Sequence, residues 1–487
     1  MTGVPPFFKA PGASTIGQGR LLLISYHFPP GQAVGALRWQ KLASHAAQRG
    51  WILDVVTLDP ESLSKRDMYP LESLPPGTRV YGVPRSPTFL ERVERWAWLA
   101  YSGVRSRSPL RPVPKRAGGA NGKVVRSGPS QPRARVGTLR RAYYAWLEYA
   151  KDLRWARNAA TLACRLLTVD RHVAVITCGP PHMAHWAGRS VAKQTGVPHV
   201  MDLRDPWSLV ERLADDIASP VWHRLARRYE RPTVAGAALI VMNTEPARRA
   251  MQQAYPEAAH RIITVTNGYD EDELVPARPA GGRFTIMFAG SVYLDRNPRL
   301  LLRAVAIVVR DLQLRPEDFR IEFIGDVGSS DSTDQTSIGA MARDEGVEPF
   351  IRVTGFRPRN ELSELLGNAT MLVSLNQDSN MAIPSKIFEY MQYPAWLLAL
   401  AERESATELL LRGTTADVVA PADTAGLADV LRRRYLEYRQ GERPLRLSIE
   451  ARFSRRAQAT LLFDALDQVL AEKGDLPVEA ALSSEAR

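Results

Sequence analysis

Residues 21–58 read LLLISYHFPPGQAVGALRWQKLASHAAQRGWILDVVTL and contain a strand, a loop, a helix and a second strand in that order. Leu21–Ser25 is a continuous apolar run, which is typical of a strand buried on both faces of a parallel sheet. Gly35–Gln48 carries apolar residues at helical spacing and is followed by Gly50, a residue that often ends helices. Trp51–Leu58 is the next apolar run. This unit predicts an α/β fold with a doubly wound parallel sheet.

The same rhythm continues through two series of short apolar runs. The further strands predicted in the N-terminal half are Val173–Thr177, His199–Asp202, Ala238–Met242 and Arg261–Val265. After a polar linker, the second series comprises Phe284–Phe288, Arg320–Ile324, Ile351–Thr354, Met371–Leu375 and Ala395–Leu400. We therefore predict two Rossmann-like domains, residues 1–275 and 283–448, which face each other across a cleft. Residues 450–473 are predicted to form a closing helix that packs back toward the N-terminal domain, followed by a tail at 474–487.

The chain has 487 residues and a formal net charge of +12, and one segment carries nearly all of that charge. Residues 102–141 contain eleven Lys or Arg and no Asp or Glu, so the rest of the chain is close to neutral. Residues 102–138 are also rich in Pro, Gly and Ser, which predicts a disordered basic insertion. A solvated loop and a contact with an anionic membrane surface are both compatible with this composition. Nucleic-acid binding through the segment ranks last, because its charge does not lie on a folded face.

Cysteine content and hydropathy favour a soluble, cytoplasmic protein. Cys164 and Cys178 are the only cysteines and cannot form a disulfide framework or a zinc site by themselves. The N-terminus lacks the cationic start and long apolar run of a signal peptide. No window approaches the run of about 18 apolar residues that a spanning helix needs. Peripheral association with the inner face of the membrane is the alternative. Between the basic insertion and Val173, an apolar stripe that includes Trp146 and Tyr149 predicts an amphipathic helix.

The stretch NMAIPSKIFEY, residues 380–390, has the residue types of a site for an anion and a sugar. Ser385 can cap a helix, and the free backbone amides at a helix start attract an anion. Lys386 adds a cation, and Glu389 lies about one turn further on, where a carboxylate can accept hydrogen bonds from ribose hydroxyls. A capped helix with a surface Lys–Glu pair explains the same residues equally well.

Polar residues also follow two predicted strands of the N-terminal domain. His182 comes after Gly179–Pro181, inside the expected cleft, where an imidazole can hydrogen-bond a sugar hydroxyl or move a proton. Asp202, Arg204 and Asp205 follow the next strand, and we expect them to bind the acceptor. The alternatives are a helix-start histidine with no chemistry, and an Arg–Asp pair that only shapes its own loop.

Taken together, these segments resemble the family 4 glycosyltransferases of the GT-B fold, also called group 1 glycosyltransferases. PSKIFEY resembles the donor-binding segment of that family. The other segments that resemble it, in the family's order, are LLLISYHFPPGQAVGALRWQKLA, GPPHMAHWAG, HVMDLRDPW, VTNGYDEDEL, FAGSVYLDRNP and FSRRAQATLL. The similarity runs from Leu21 to Leu470, apart from the basic insertion.

The resemblance implies roles for individual residues. Glu389 would bind the donor ribose, and Ser385 and Lys386 would lie near the diphosphate. The other donor-side residues it implies are Gly290 and Ser291 at the phosphates, Arg296 beside the leaving diphosphate, and Gly355 and Phe356 near the nucleobase. In the N-terminal domain, Gly31 and Gly35 would form a loop that closes over the donor. Many family members have a first glutamate where this chain has Met381, which leaves the identity of the sugar open.

The function implied by the resemblance is retaining transfer of a sugar from a nucleoside-diphosphate donor to an acceptor hydroxyl. His182, Arg296 and Lys386 are the predicted catalytic residues. We expect a hexosyltransferase of cell-envelope, exopolysaccharide or glycolipid synthesis that needs no metal and no cofactor beyond its nucleotide-sugar substrate. UDP-sugars are favoured over GDP-sugars, the acceptor would be a glycan or a lipid-linked molecule, and no nucleic-acid partner is expected. The alternatives are a degenerate nucleotide-sugar-binding protein and a GT-B nucleotide-sugar epimerase.

Overall fold

The structure is a computed structural model. It describes residues 4–12, 19–33, 35–63, 65–85, 137–273, 275, 282–292, 296–325, 337–375, 379–447 and 451–474. The predicted basic insertion, apart from its last two residues, lies outside these ranges, as does the predicted tail after residue 474. Both stay predictions.

The N-terminal domain is built on an eight-stranded sheet in the order β1-β4-β3-β2-β5-β6-β7-β8. Its strands are β1 (Phe8–Lys9), β2 (Gly19–Ser25), β3 (Trp51–Leu58), β4 (Arg79–Val83), β5 (His172–Gly179), β6 (His199–Leu203), β7 (Leu239–Met242) and β8 (Ile262–Thr264). All pairs are parallel except the antiparallel edge pair β1–β4. The central strands are buried on both faces, which is why they read as continuous apolar runs in the sequence.

Helices cover both faces of this sheet. They are α1 (Ala36–Gln48), α2 (Tyr69–Glu72), α3 (Thr138–Val169), α4 (Met183–Thr195), α5 (Pro220–Gly236) and α6 (Glu245–Ala254). The core on one face joins the sheet to α3, α4, α5 and α6, and the core on the other face joins it to α1. The prediction that Trp146 belongs to the apolar stripe of this helix is wrong, since the residue is 46% exposed. The buried face of α3 passes through Ala145, Tyr149 and Ala156, and Trp146 lies one position around the helix from it.

The C-terminal domain has a six-stranded, wholly parallel sheet in the order β11-β10-β9-β12-β13-β14. Its strands are β9 (Phe284–Ala289), β10 (Phe319–Ile324), β11 (Ile351–Thr354), β12 (Met371–Leu375), β13 (Trp396–Leu400) and β14 (Asp417–Val419). Its helices are α7 (Arg299–Asp311), α8 (Ile338–Asp344), α9 (Arg359–Leu366), α10 (Ser385–Tyr390), α11 (Ala406–Leu411) and α12 (Thr424–Arg439). Separate apolar cores lie on the two faces of this sheet.

The final helix, α13 (Arg455–Glu472), returns to the N-terminal domain. Ser454 caps its start by accepting a hydrogen bond from the Ala457 amide, 3.1 Å away. Its apolar side chains, Phe463 among them, complete the core between α1 and the first sheet. Arg49 binds two acids of α13, which adds polar contacts at the edge of this packing. The chain therefore passes between the two sheets twice, after β8 and before α13.

Two doubly wound parallel sheets in series confirm the predicted fold class of two Rossmann-like domains facing across a cleft. Among the described residues, no helix combines the length and the apolar character that a membrane span requires.

Candidate functional site

A cleft of about 980 Å³ lies between the carboxyl ends of the two sheets. Both domains line it, as expected for ligand sites in open α/β sheets. The predicted site residues that line this cleft are Gly35, His182, Arg204, Asp205, Gly290, Ser291, Arg296, Phe356, Ser385, Lys386 and Glu389. Three others, Gly31, Asp202 and Gly355, do not line it. Most of the predicted residues thus converge on one cavity, although they come from segments far apart in the chain.

Lys386 occupies the bottom of the donor side of the cleft. Its Nζ donates a hydrogen bond to the carbonyl oxygen of Ala289, the last residue of β9, and lies 5.3 Å from the centre of the Phe288 ring. Burial lowers the pKa of Lys386 to about 8; Glu389 opposes this shift and the nearby positive charge of Arg296 adds to it. Two cations and one carboxylate therefore lie together where a dianionic ligand would offset their mutual repulsion.

Gly290 makes room for this lysine. Its φ is +139°, a backbone conformation that glycine adopts readily, and a Cβ built there would lie 1.4 Å from Lys386 Nζ. The hydroxyl of Tyr390 on α10 accepts a hydrogen bond from the Ala289 amide at 2.9 Å, which fixes α10 against the same strand end. The end of β9 thus contacts α10 near both ends of the helix, through Lys386 and Tyr390.

Gly290→Ala should therefore displace the ammonium group of Lys386 and weaken donor binding by at least about tenfold, since the new methyl group and Nζ cannot share this space. Gly346→Ala is the matched control, because Gly346 also has a positive φ, +72°, but its added Cβ would meet nothing within 4 Å. Both variants should melt earlier than the parent protein. Calorimetry with UDP measures the difference, and equal affinities in the two variants would contradict the assigned contact.

The start of α10 differs from the prediction at one residue. Ser385 is the first helical residue and not the cap; Pro384 holds the cap position and makes no side-chain capping bond. Pro384 has φ −56° and ψ 128°, outside the helical region, and its side chain has no oxygen that could accept a hydrogen bond from the helix amides. Because α10 has only six residues, its peptide dipole is small, and the cations Lys386 and Arg296 are the main source of positive charge.

Glu389 faces the cleft one turn after Ser385. In the described part of the chain, nothing donates a hydrogen bond to its carboxylate, so both oxygens are available to a ligand. Phe356 stands on the rim with 81% of its surface exposed and offers a flat aromatic face. Gly355, which precedes it, is exposed and does not line the cavity, so its place beside the nucleobase stays a prediction.

His182 lies on the opposite wall, immediately before α4. Its ring stacks on Trp207 with centroids 5.4 Å apart, and its Nδ1 is buried without a hydrogen-bond partner among the described residues. Burial, together with the positive charge of Arg204, lowers the pKa of His182 to about 3. The imidazole is therefore neutral at physiological pH and too weakly basic to fit the predicted proton transfer well. Its geometry suits a hydrogen bond to a ligand.

Arg204 holds the His182 loop in place. Its Nε and Nη2 donate to the carbonyl oxygens of Gly179 and Pro180 at 3.1 and 2.5 Å. The guanidinium also packs on Gly35, where a Cβ would lie 1.7 Å from Nη1. Position 35 thus requires glycine because the Arg204 guanidinium lies so close to the backbone, and not because of a positive φ. Gly31 instead lies beside the cavity and donates its amide to the carbonyl oxygen of Phe28.

Asp202 does not have the predicted position on the cleft surface. Its side chain is fully buried and accepts hydrogen bonds from Arg38 Nε and Nη2, at 2.9 and 3.0 Å, and from Trp39 Nε1 at 2.7 Å. Arg38 also donates to the carbonyl oxygens of Val265 and Thr266, in the segment that leads to the C-terminal domain. The carboxylate therefore anchors α1 and the domain junction and does not reach an acceptor.

Four acidic residues that line the cleft were not predicted: Glu148, Asp152, Glu211 and Asp270. Glu148 and Asp152 lie one turn apart on α3, and burial and their mutual repulsion raise the pKa of Asp152 to about 7. Their spacing of four residues places both on one helix face, so the sequence alone could have indicated this pair. Glu211, on the loop after β6, has no sequence pattern that marks it. In the described ranges, no group of three or more His, Cys, Asp or Glu is arranged to hold a metal ion.

The segment around Met381 crosses the cleft and contacts the N-terminal domain. Glu211 accepts hydrogen bonds from it, Thr244 Oγ1 donates to the Met381 carbonyl oxygen at 2.6 Å, and the Met381 side chain packs against the N-terminal core. This residue, which stands where many family 4 members have a glutamate, is therefore a contact between the domains.

Comparison with known proteins points to one superfamily. Residues 270–453, which include the whole C-terminal domain, match the family model for glycosyl transferases group 1. No curated protein sequence matches the chain.

Several solved structures resemble the whole chain. HepE from Anabaena in complex with UDP and glucose has 13% identity and a TM-score of 0.56, with 92% of this chain and 100% of that chain covered. Sucrose-phosphate synthase from Thermosynechococcus elongatus has 13% identity and a TM-score of 0.57, covering 93% and 100%. The UDP-forming α,α-trehalose-phosphate synthase of Burkholderia xenovorans, in complex with glucose-6-phosphate, has 14% identity and a TM-score of 0.55, covering 92% and 100%. At these identities the likeness shows the fold, which is GT-B, and the family match supports a glycosyltransferase.

Proposed function

We propose that this chain is a family 4 glycosyltransferase that moves a hexose from a nucleoside-diphosphate donor to an acceptor hydroxyl. The observation that carries the proposal is the cluster of Lys386, Arg296 and Glu389 around Gly290, which faces the N-terminal domain across the cleft. The cluster offers cations for a diphosphate and, one helical turn away, a free carboxylate for a ribose. The three solved structures named above include one with bound UDP and one enzyme described as UDP-forming, and this favours a UDP-sugar over a GDP-sugar.

In this reaction the bond from the sugar C1 to the diphosphate oxygen breaks, the acceptor oxygen bonds to C1, and the proton of the acceptor hydroxyl passes to the leaving diphosphate. Negative charge grows on the leaving diphosphate as the C1–O bond lengthens. Lys386, held by the Ala289 carbonyl oxygen, and the nearby Arg296 lie beside the proposed diphosphate position, and preorganised charges are usually the largest single source of such catalysis. The cations perform this task without a metal ion, and the family resemblance favours retention at C1.

The acceptor enters from the N-terminal side. His182 and Arg204 line that wall with Trp207, a combination of polar and aromatic groups that suits a sugar ring. The family resemblance and the basic residues at 102–141 favour a glycan or lipid-linked acceptor in cell-envelope, exopolysaccharide or glycolipid synthesis, with the enzyme at the inner face of the membrane.

A panel of UDP-, GDP- and ADP-sugars tests the proposal by thermal shift. A donor that binds only the folded protein stabilises it by about 2.7 kcal/mol at 100 times its dissociation constant. We expect the melting temperature to rise with UDP-sugars, and Glu389→Gln to weaken the binding of the same donor by about tenfold, because an amide accepts fewer hydroxyl hydrogen bonds than a carboxylate.

Donor hydrolysis by the same samples then separates the alternatives. Binding without slow hydrolysis or transfer would indicate a degenerate nucleotide-sugar-binding protein. A protein that no nucleotide sugar stabilises would contradict the proposed function.

A further inference from the structure

The carboxylate of Glu211 reaches from the N-terminal domain to the donor domain. One of its oxygens, Oε2, accepts three hydrogen bonds, from Ser379 Oγ at 2.6 Å, the Asn380 amide at 2.7 Å and the Met381 amide at 3.0 Å. Three donors on one oxygen hold a long and otherwise flexible side chain in a single position.

The other oxygen of Glu211, Oε1, receives no hydrogen bond from any described residue, and Glu211 lines the cleft. A carboxylate oxygen has lone pairs only and can accept hydrogen bonds from hydroxyl groups. One oxygen of Glu211 thus ties the domains together, and the other is left as a hydrogen-bond acceptor in a residue that lines the cavity.

The orientation of the bound donor places the transferred sugar near Glu211, and this step rests on the proposed function. Ribose binds at Glu389 and the diphosphate at Lys386, so a nucleotide sugar runs backwards along the chain from α10. The transferred sugar then lies beside the residues that precede the helix, which are 379–384. These are the residues that Glu211 contacts.

We propose that Glu211 binds hydroxyl groups of the transferred sugar and so determines which sugar is accepted. The donor domain has Met381 in this region, and its apolar side chain, which packs against the N-terminal core, offers no carboxylate. The opposite domain supplies the carboxylate instead. Sugar recognition thus requires the closed cleft, because Glu211 and the diphosphate site belong to different domains.

Two pairs of probes test this assignment by calorimetry: UDP with UDP-glucose, and GDP with GDP-mannose. In Glu211→Gln the side-chain oxygen can still accept the three hydrogen bonds, but the free oxygen is replaced by an amide nitrogen. We expect its affinity for the nucleoside diphosphate to change less than about twofold and its affinity for the matching nucleotide sugar to fall about tenfold. Asp215→Asn is the control, since Asp215 is on the same loop, has a side chain that is 71% exposed and, among the described residues, forms its ion pair with Arg212.

The outcomes are distinct. An equal loss of affinity for nucleotide and nucleotide sugar would reduce Glu211 to a contact between domains and overturn the assignment. Unchanged affinity for both, in Glu211→Gln and in Glu211→Ala, would overturn it as well. If the parent protein binds none of the four probes, the assignment of Glu211 fails together with the UDP- or GDP-sugar donor on which it rests.

Discussion

Lys386→Met should reduce turnover by about 100-fold or more and weaken UDP binding, while leaving the protein at least as thermally stable as its parent. The loss follows from the removal of a fixed cation at the leaving diphosphate, an effect comparable to that of deleting one oxyanion donor. Stability should not fall, because methionine has a similar length and does not require a buried ammonium group to be desolvated. Steady-state kinetics and thermal unfolding of the same preparation measure both quantities.

The pH dependence of donor binding provides a second readout for Lys386. Burial lowers its pKa to about 8, and only the protonated ammonium attracts the diphosphate. UDP affinity of the parent protein should therefore decrease as pH rises through about 8, whereas Lys386→Met should lack this decrease.

The lowered pKa of Lys386 also makes the stability of the folded protein depend on pH. The folded protein holds this proton less tightly than the unfolded chain, whose lysine has a pKa of 10.5, so the group costs stability below pH 8 and the cost disappears between pH 8 and 10.5. Lys386→Met should gain most at neutral pH. An unchanged UDP affinity with the same pH profile as the parent would remove Lys386 from the donor site.

Sequence patterns were sufficient for the fold because its strands are buried on both faces. Runs such as Leu21–Ser25 and Phe284–Phe288 each contain a single hydroxyl residue and end close to glycine or a polar loop, so their order indicates two doubly wound sheets, although the edge strands β1, β4 and β14 were not predicted. The donor residues were predictable for a related reason: the carboxyl ends of parallel strands share one edge of the sheet. What the patterns could not supply is the contact of Lys386 with Gly290, which joins residues far apart in the chain.

The wrong expectation for Asp202 has a simple geometric cause. The sequence placed the end of β6 at Asp202, whereas the strand continues through Leu203. Successive side chains in a strand point to opposite faces, so a residue inside the strand points into a core, while Arg204 and Asp205 beyond its end are free to face the cleft. The sequence did not indicate Glu211, because its hydrogen-bond partners lie in the other domain and the spacing of neighbouring residues does not reflect such contacts.

Asp202→Ala should be the most destabilising single change in the N-terminal domain among those discussed here. The substitution removes three hydrogen bonds and leaves the guanidinium of Arg38, which is only 4% exposed, without its counter-ion. Breaking a buried ion pair in this way costs about 3–5 kcal/mol. For a domain of this size, that loss corresponds to a fall in melting temperature of about 10 °C. Differential scanning calorimetry measures it.

Two controls separate this anchor from a role in ligand binding. Asp205→Ala, three residues further on at the cleft surface, should lower the melting temperature by only a degree or two. Arg38→Met combined with Asp202→Leu should recover most of the lost stability, because both buried charges are removed together. Since the donor domain is folded around its own cores, Asp202→Ala should still bind UDP at low temperature with an affinity within about threefold of the parent. If the melting temperature of Asp202→Ala instead equals that of Asp205→Ala, and the variant loses only acceptor affinity, then the carboxylate belongs to the cleft. It would then not anchor α1 to the domain junction.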